Sequence, residues 1–353
     1  MAPTHHKALI QEKKGGDLVL ATFSVPEPKA DEVLVKSTGK SRRAAYFITQ
    51  YPTVLGIDIA GEVVKLGEAV ADSQFAVGDR VVFPGIYNQV GNTGFQEYSA
   101  SGLVTLAKIP ANISYEEASS LPVGLTTAYT GLYNVSPHGL GFNSLPKPGA
   151  KGKYSGTPIV IIGGSSSVGQ YTIQLAKLSG FSPIITTSSL KHETYLKSLG
   201  ATHVLDRNTP LTQESLKGIT DSPIQSVYDA ISDADTQKAG LDLLAPGGQI
   251  VVVQYPQPSL KERAQQESKS FLAVTGGKLA HNIPLLKELF EHLTTLLEGG
   301  DIKPNRVEVL PGGLNGIVTG LKRLEEQKVS GIKLVARPAG YALTAFHLSN
   351  SNT

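Results

Sequence analysis

The segment that most constrains the fold is residues 159–170, which read IVIIGGSSSVGQ. The apolar run predicts a buried strand, the Gly and Ser residues predict a tight loop, and the residues after them predict a helix. Dinucleotide-binding domains place a pyrophosphate at such a junction, because small residues let backbone N–H groups approach the phosphates and the helix N-terminus adds positive partial charge. We therefore predict a Rossmann domain, with a plain strand–helix turn that binds nothing as the alternative.

The loop supplies the first group of candidate cofactor-binding residues. Only small side chains allow a phosphate to come close to the backbone, and a glycine at the end of the loop allows the helix to pack closely on the strand. The candidates are Gly164, Ser165, Ser166, Ser167, Val168 and Gly169.

The end of the second strand, predicted at 183–187, distinguishes NAD from NADP. NAD enzymes place an Asp or Glu near this point, where it binds the ribose 2′-hydroxyl. This chain instead has Ser188, Ser189 and Lys191, and hydroxyl groups with a cation suit a 2′-phosphate. We predict NADP, with Arg207 as a second cation. The alternative is that Ser189 only caps the following helix while Lys191 and Arg207 are solvated.

The order of apolar runs, turn residues and helical stretches along the chain predicts two domains. Residues 7–124 contain short β-type runs separated by Gly, Pro and Asp, which favours a barrel or sandwich. Residues 125–297 alternate apolar strands with helical stretches, which indicates a parallel sheet built from βαβ units. The β-type runs are 17–23, 32–36, 61–65, 80–83 and 96–100. In the second zone, strands are predicted at 158–163, 183–187, 202–205, 226–229 and 249–254, with helices at 168–179 and 191–199. Strand 306–310, helix 314–327 and strand 331–336 follow, and we expect the last strand to rejoin the first domain.

Composition excludes several classes of protein. The chain has 353 residues and a net charge of +2 without a long basic block, so a nucleic-acid or anionic-membrane partner is not expected. It has no apolar run long enough to span a bilayer and no signal-peptide pattern at its start, which fits a cytoplasmic location. Cysteine is absent and the histidines have no ligand spacing, so we predict no metal site.

Further motifs, taken in order, carry a family resemblance. They are 51–64 (YPTVLGIDIAGEVV), 75–81 (FAVGDRV), 94–98 (GFQEY), 121–128 (LPVGLTTA), 197–201 (KSLGA) and 329–335 (VSGIKLV). With the loop above, they make the chain resemble the medium-chain dehydrogenase/reductase superfamily over about residues 7–338. Within it, the chain resembles the zinc-free quinone oxidoreductases and the trans-acting enoyl reductases of fungal polyketide pathways.

The resemblance implies an α/β protein with two domains. Residues 1–124 and 298–353 would form a GroES-like domain from both chain ends, residues 125–297 would form the Rossmann NADP-binding domain, and the active cleft would lie between them. Ser330 and Lys333 of the closing motif join the candidate cofactor-binding residues. Zinc alcohol dehydrogenases have Gly-His-Glu where this chain has Gly-Ile-Asp at 56–58, which agrees with the absence of a metal.

Without a Lewis acid, an activated C=C bond is an easier target for hydride than a simple carbonyl. Reduction then needs hydrogen-bond donors near the carbonyl oxygen and a proton source for the α-carbon. Thr126, Thr127 and Tyr129 are candidate donors, and Tyr46 and Tyr51 are candidate proton donors. The alternative for all five is a purely structural role, with the proton delivered by solvent.

The chain departs from the family between its third predicted strand and residue 51. The segment 37–46 (STGKSRRAAY) is shorter than in relatives and basic where they are apolar. Three functions stay open: an NADPH-dependent enoyl reductase acting on a small-molecule or carrier-bound enoyl substrate with a polyketide synthase as partner, a quinone oxidoreductase, and a non-catalytic NADP-binding accessory protein. We expect the Gly- and Pro-rich loop 136–156 to border the pocket and help admit a carrier-bound chain.

Overall fold

The computed structural model describes residues 3–41, 48–70, 73–145 and 150–338. Its strands are β1 (His5–Gln11), β2 (Leu18–Ser24), β3 (Glu32–Ser41), β4 (Thr53–Val54), β5 (Asp58–Leu66), β6 (Arg80–Pro84), β7 (Tyr98–Gly102), β8 (Ala107–Lys108), β9 (Ile159–Ile162), β10 (Ile184–Ser188), β11 (His203–Asp206), β12 (Ser226–Asp229), β13 (Gln249–Val252), β14 (Ser270–Ala273), β15 (Val307–Leu310) and β16 (Lys333–Ala336). Its α-helices are α1 (Tyr115–Ala118), α2 (Pro122–Tyr133), α3 (Ser167–Ser179), α4 (Glu193–Leu199), α5 (Ala234–Leu243), α6 (Pro258–Gln266), α7 (Ile283–Glu298) and α8 (Leu314–Glu325).

The second zone forms a parallel sheet with the order β11-β10-β9-β12-β13-β14. This is the doubly wound Rossmann order, so the predicted fold class is confirmed. The central strand β9 is buried on both faces, because alternate residues enter two apolar clusters, one around α2, α3 and α7 and the other around α5 and α6. After β11 the chain returns to the centre of the sheet and forms β12 next to β9. This reversal of the strand order opens a crevice at the carboxyl ends of β9 and β12.

The two ends of the chain build the β-rich domain, which we call the barrel. A seven-stranded sheet has the order β15-β16-β3-β5-β6-β8, with β7 also on β3, and a smaller sheet has the order β2-β1-β4. Strand β16 pairs antiparallel with β3, so the prediction that the last strand rejoins the first domain is confirmed. Strand β3 runs past its predicted end at 36, and its pairing with β5 continues to Ser41 opposite Asp58.

Helix α2 joins the two domains. It packs against α3 of the Rossmann domain and against β5 and β6 of the barrel. The predicted boundary at 124/125 falls within this helix, and both boundaries stay a prediction.

Residues 150–156, the end of the Gly- and Pro-rich loop, do not lie where we expected that loop. Phe142 and Tyr154 pack in T-shaped and stacked contacts with Phe181, and the Gly152 amide donates to the Leu178 carbonyl. These contacts hold residues 150–156 at the C-terminal end of α3, whereas the Gly/Ser loop precedes the N-terminal end. Burial of the aromatic side chains fixes them there, so the expectation that the loop borders the pocket is wrong for residues 150–156. Within the described ranges, no helix is long and apolar enough to cross a membrane.

Candidate functional site

The Gly/Ser loop between β9 and α3 is closed by backbone contacts that only glycine permits. A Cβ atom on Gly169 would lie 2.3 Å from the Gly163 carbonyl oxygen, and one on Gly164 would lie 2.1 Å from Thr186 Oγ1. Gly163 also has a positive φ of 78°. The loop therefore packs α3 tightly onto β9 and β10, as a dinucleotide loop requires.

The first turn of α3 leaves N–H groups available for an anion. Ser166 caps the helix by accepting a hydrogen bond from the Gly169 amide at 3.0 Å. The amides of Ser167 and Val168 have no acceptor in the part of the chain that the structure describes. Because these donors lie at the N-terminus of a 13-residue helix, a phosphate is favoured there. Ser165, also in the loop, is half-buried.

Asn305 ties this loop to the segment that returns to the barrel. Its side-chain oxygen accepts from Ser167 Oγ at 2.6 Å, and its amide nitrogen donates to Gln170 Oε1 at 2.9 Å. Its backbone N–H donates to Ser120 Oγ and to the hydroxyl of Tyr171. The Ser167 side chain is thus used within the protein, which leaves phosphate contacts at this position to the backbone.

The tips of β10 and β11 form the predicted ribose site. The Ser188 hydroxyl is buried without a hydrogen-bond partner in the described residues, and its carbonyl accepts from the Arg207 amide at 2.9 Å. Ser189 precedes a short 3-10 turn but makes no side-chain capping bond, so the alternative role as a cap is not observed. Lys191 and Arg207 are both exposed beside this pair of strand tips.

His192, a residue that sequence reasoning missed, marks where the cations converge. Its Nε2 lies 2.9 Å from the Ser330 hydroxyl and its Nδ1 lies 3.4 Å from an Arg306 guanidinium nitrogen. Burial lowers the pKa of His192, and the positive charges of Lys191, Arg306 and Arg207 lower it further. None of these three cations forms an ion pair within the described ranges. A cluster of cations without ion pairs, next to the buried Ser188 hydroxyl, suits a phosphate.

Arg306 was also missed, because it lies more than a hundred residues from the strand tip that it approaches. Its guanidinium stacks over the Tyr195 ring at 3.9 Å and donates to the Gly331 carbonyl. Through His192, the structure brings Ser330 of the closing motif close to Lys191 and Arg207.

Lys333, the other predicted residue of the closing motif, lies in a buried ion pair. Its Nζ is 2.8 Å from Asp58 Oδ2 and 3.3 Å from the Ser120 carbonyl oxygen. Asp58 Oδ1 accepts from the Val123 amide at the start of α2 at 2.7 Å. The pair therefore joins the start of β5 and β16 of the barrel to the helix that enters the Rossmann domain.

The candidate donors on α2 differ in what their hydroxyl groups do. Tyr129 donates to the Leu145 carbonyl and to Glu288, and burial raises its pKa far above the usual range, so the structure uses it inside the core. Thr126 donates to the Val123 carbonyl at 3.3 Å. The Thr127 hydroxyl forms no hydrogen bond within the described chain, and both threonines lie directly under Gly276. Thr127 is therefore the freer of the two donors.

Only one of the two tyrosine candidates, Tyr51, lies among the described residues. Tyr51 is half-buried against an apolar cluster that contains Leu9, Val54 and Ile317. Tyr46 lies outside the described residues. Both remain predictions as proton donors.

The residues present do not suit zinc. No group of three or more His, Cys, Asp or Glu side chains that could hold a metal occurs among the described residues. Asp58, at the position where zinc alcohol dehydrogenases have the Glu of Gly-His-Glu, is already neutralised by Lys333. Its neighbour Ile57 has no donor atom. The small-residue loop, by contrast, fits a nicotinamide dinucleotide.

Comparisons with known proteins agree with this geometry. A family model for the alcohol dehydrogenase GroES-like domain matches residues 30–114, and one for zinc-binding dehydrogenases matches residues 167–285. A trans-enoyl reductase of Aspergillus japonicus is 32% identical over 303 residues, which cover 84% of each chain. A trans-enoyl reductase of a Fusarium species is 30% identical over 358 residues, which cover 95% of this chain and 99% of the relative. Among solved structures, that of the CurK enoyl reductase superposes with a TM-score of 0.74 at 21% identity, covering 95% of this chain and 99% of its own.

Proposed function

The chain belongs to the medium-chain dehydrogenase/reductase superfamily and to its trans-enoyl reductases, and from this premise we propose that it reduces the activated C=C bond of an enoyl substrate with NADPH. The observation that carries the proposal is the Asp58–Lys333 ion pair. It neutralises a carboxylate where zinc relatives have a Glu, beside a dinucleotide loop that is intact. Such a site suits hydride addition to a conjugated bond, which needs no Lewis acid.

The fold implies a nicotinamide dinucleotide, and the cation cluster supports NADP in particular. The backbone at the start of α3 would hold the pyrophosphate through the amides of Ser167 and Val168. Ser188, Ser189, Lys191 and Arg207 would hold the 2′-phosphate together with the newly found Arg306. In NAD enzymes a carboxylate takes this place, and it would repel a phosphate.

The reduction needs little from the protein besides orientation and charge stabilisation. When bound, the nicotinamide supplies the hydride that is added to the β-carbon. Negative charge then develops on the carbonyl oxygen, and a positioned hydroxyl such as that of Thr127 stabilises it. Thr126 and Tyr51 remain secondary candidates for donation and protonation, because Thr126 already donates to a backbone carbonyl and Tyr51 packs in an apolar cluster.

We further propose that catalysis is independent of metal. The support is chemical, since Ile57 offers no ligand atom and Asp58 is paired. Activity should survive exhaustive chelation, and elemental analysis should find less than stoichiometric zinc. One zinc per chain whose removal abolishes activity would contradict this.

The substrate of a trans-acting reductase would be a chain carried by a polyketide synthase, and we propose such a synthase as the partner. The deciding experiment compares NADPH consumption with an α,β-unsaturated thioester and with a simple quinone, and identifies the product by mass. Saturation of the thioester supports the proposal. Turnover of the quinone alone would replace it with a quinone oxidoreductase, and tight NADPH binding without turnover would indicate an accessory protein.

A further inference from the structure

The loop between β14 and α7 carries a lysine next to α2, the helix that joins the two domains. The loop follows the carboxyl end of a Rossmann strand, where ligands bind in this fold. A Cβ atom on Gly276 would lie 2.4 Å from both Thr126 Oγ1 and the Thr127 amide nitrogen, so the loop lies directly on the candidate donors of α2. Lys278 follows two residues later.

Hydrogen bonds fix this loop from the Rossmann side. Asn282 donates from its side chain to the carbonyls of Thr275 at 2.8 Å and Gly277 at 3.0 Å, and Asn134 of the α2 C-cap donates to Asn282 Oδ1 at 2.9 Å. Thr130 of α2 also donates to the Thr275 carbonyl. The backbone that bears Lys278 is therefore held against α2, as a positioned catalytic group requires.

The amine of Lys278 has no protein partner among the described residues, whether in an ion pair or in a hydrogen bond. The residue is half-buried. Burial lowers the pKa of Lys278 to about 8. The negative charge of Glu32, on strand β3 of the barrel, acts in the opposite direction and raises this pKa. Glu32 itself pairs with Lys29 and accepts from Asn92. Lys278 is thus half-buried, lies close enough to Glu32 for the two charges to interact, and has no partner among the described residues.

We propose that Lys278 is the proton donor to the α-carbon in the reduction, an inference that rests on the proposed function. After hydride reaches the β-carbon, an N–H bond of the Lys278 ammonium breaks and its proton forms the new C–H bond at the α-carbon. The electron pair of the enolate is used in that bond, the carbonyl C=O bond re-forms, and the neutral amine takes a proton from solvent. A positioned acid whose pKa lies near the working pH performs this step efficiently.

The test compares wild type, Lys278→Gln and Lys278→Arg, with Lys287→Gln as the matched control. Lys287 is an exposed lysine on α7 whose nearest carboxylate is Glu291. Lys278→Gln should lower kcat by about 100-fold or more without changing the dissociation constant of NADPH. Wild-type kcat should fall as pH rises through about 8, because the donor is the charged form. Lys278→Arg should be slow with no such decline, and Lys287→Gln should behave as wild type.

Two substrates separate proton donation from anion binding. Crotonyl-N-acetylcysteamine has no phosphate, whereas crotonyl-CoA has several, and the loss of kcat in Lys278→Gln should be the same for both. A rise in KM confined to crotonyl-CoA would overturn the proposal in favour of a substrate-phosphate contact. If the wild type reduces both thioesters and Lys278→Gln retains its rate and pH profile, only the assignment of Lys278 fails. If the wild type reduces neither thioester, the proposed function fails together with the assignment of Lys278. Should Lys278→Gln not fold, the profiles of wild type and Lys278→Arg decide the question.

Discussion

Replacing Lys191 with Ala tests the assignment of the 2′-phosphate site. Two unit charges 4 Å apart interact by about 1 kcal/mol in a water-like medium and by about 4 kcal/mol at an effective dielectric constant near 20. Lys191 is exposed, so the lower end of this range applies. Loss of its charge should cost about 1.4 kcal/mol of NADPH binding, which is roughly tenfold in the dissociation constant.

The assay is a fluorescence or calorimetric titration with NADPH and with NADH at low and high ionic strength. The wild type should bind NADPH at least about tenfold more tightly than NADH. Lys191→Ala should weaken NADPH alone, and the difference should shrink at high salt because exposed charges are screened. Lys197→Ala is the matched control, since Lys197 is exposed on the neighbouring helix and pairs with Glu193 at 2.7 Å. Equal weakening of both nucleotides, or an equal effect of Lys197→Ala, would refute the reasoning.

Three further predictions follow from the same site. Gly169→Ala should weaken NADPH and NADH alike by about 100-fold or more, measured by titration, because the new Cβ would lie 2.3 Å from the Gly163 carbonyl oxygen and the backbone must move. The lowered pKa of His192 should rise when a phosphate binds among its neighbouring cations, so NADPH affinity should increase as pH falls toward 6. The slope of NADPH affinity against pH should be steeper for the wild type than for His192→Asn. Identical slopes would argue against a role of His192. Lys333→Met leaves Asp58, which is 1% exposed, without its cation, and should lower the free energy of unfolding by about 3–5 kcal/mol, with partial recovery on adding Asp58→Asn; an unchanged unfolding midpoint would count against a stabilising pair.

The sequence predicted the Rossmann half of the fold because parallel strands covered on both faces appear as apolar runs. Strand β9 is such a run. The Gly/Ser loop after it needs glycine at positions 164 and 169, because a side chain there would clash where α3 packs on the sheet. Strand β14 was missed, because SFLA is a short edge strand with an exposed alanine at its end. Strand β1 was missed because its sequence, HHKALIQ, places three polar residues before three apolar ones and so lacks the alternation typical of a half-buried strand.

The contacts of the cation cluster were only partly predictable. Ser188, Ser189 and Lys191 are neighbours in sequence, so one strand end is enough to suggest them. His192 and Arg306 meet only because β15 and β16 return to the barrel beside α4, and no local pattern specifies that distance. The expectation for residues 150–156 failed for a related reason, because the Gly and Pro content of the loop predicts an irregular path but does not say which surface its aromatic side chains will cover.

The same distinction explains why the substrate side of the site was harder to predict from the sequence than the cofactor side. Binding of a dinucleotide depends on one continuous stretch of strand, loop and helix, so its constraints are visible in consecutive residues. Proton donation requires a group that is close to the substrate, desolvated and unpaired, and each of these properties depends on residues distant in sequence. Tyr129 satisfied the residue-type criterion but donates to Leu145 and Glu288, whereas Lys278 matched no motif and is left unpaired among the described residues by the packing of its loop on α2. A lysine in a Gly-Gly-Lys turn is ordinarily solvated, and only the packing of this loop on α2 turns it into an acid suited to this reaction.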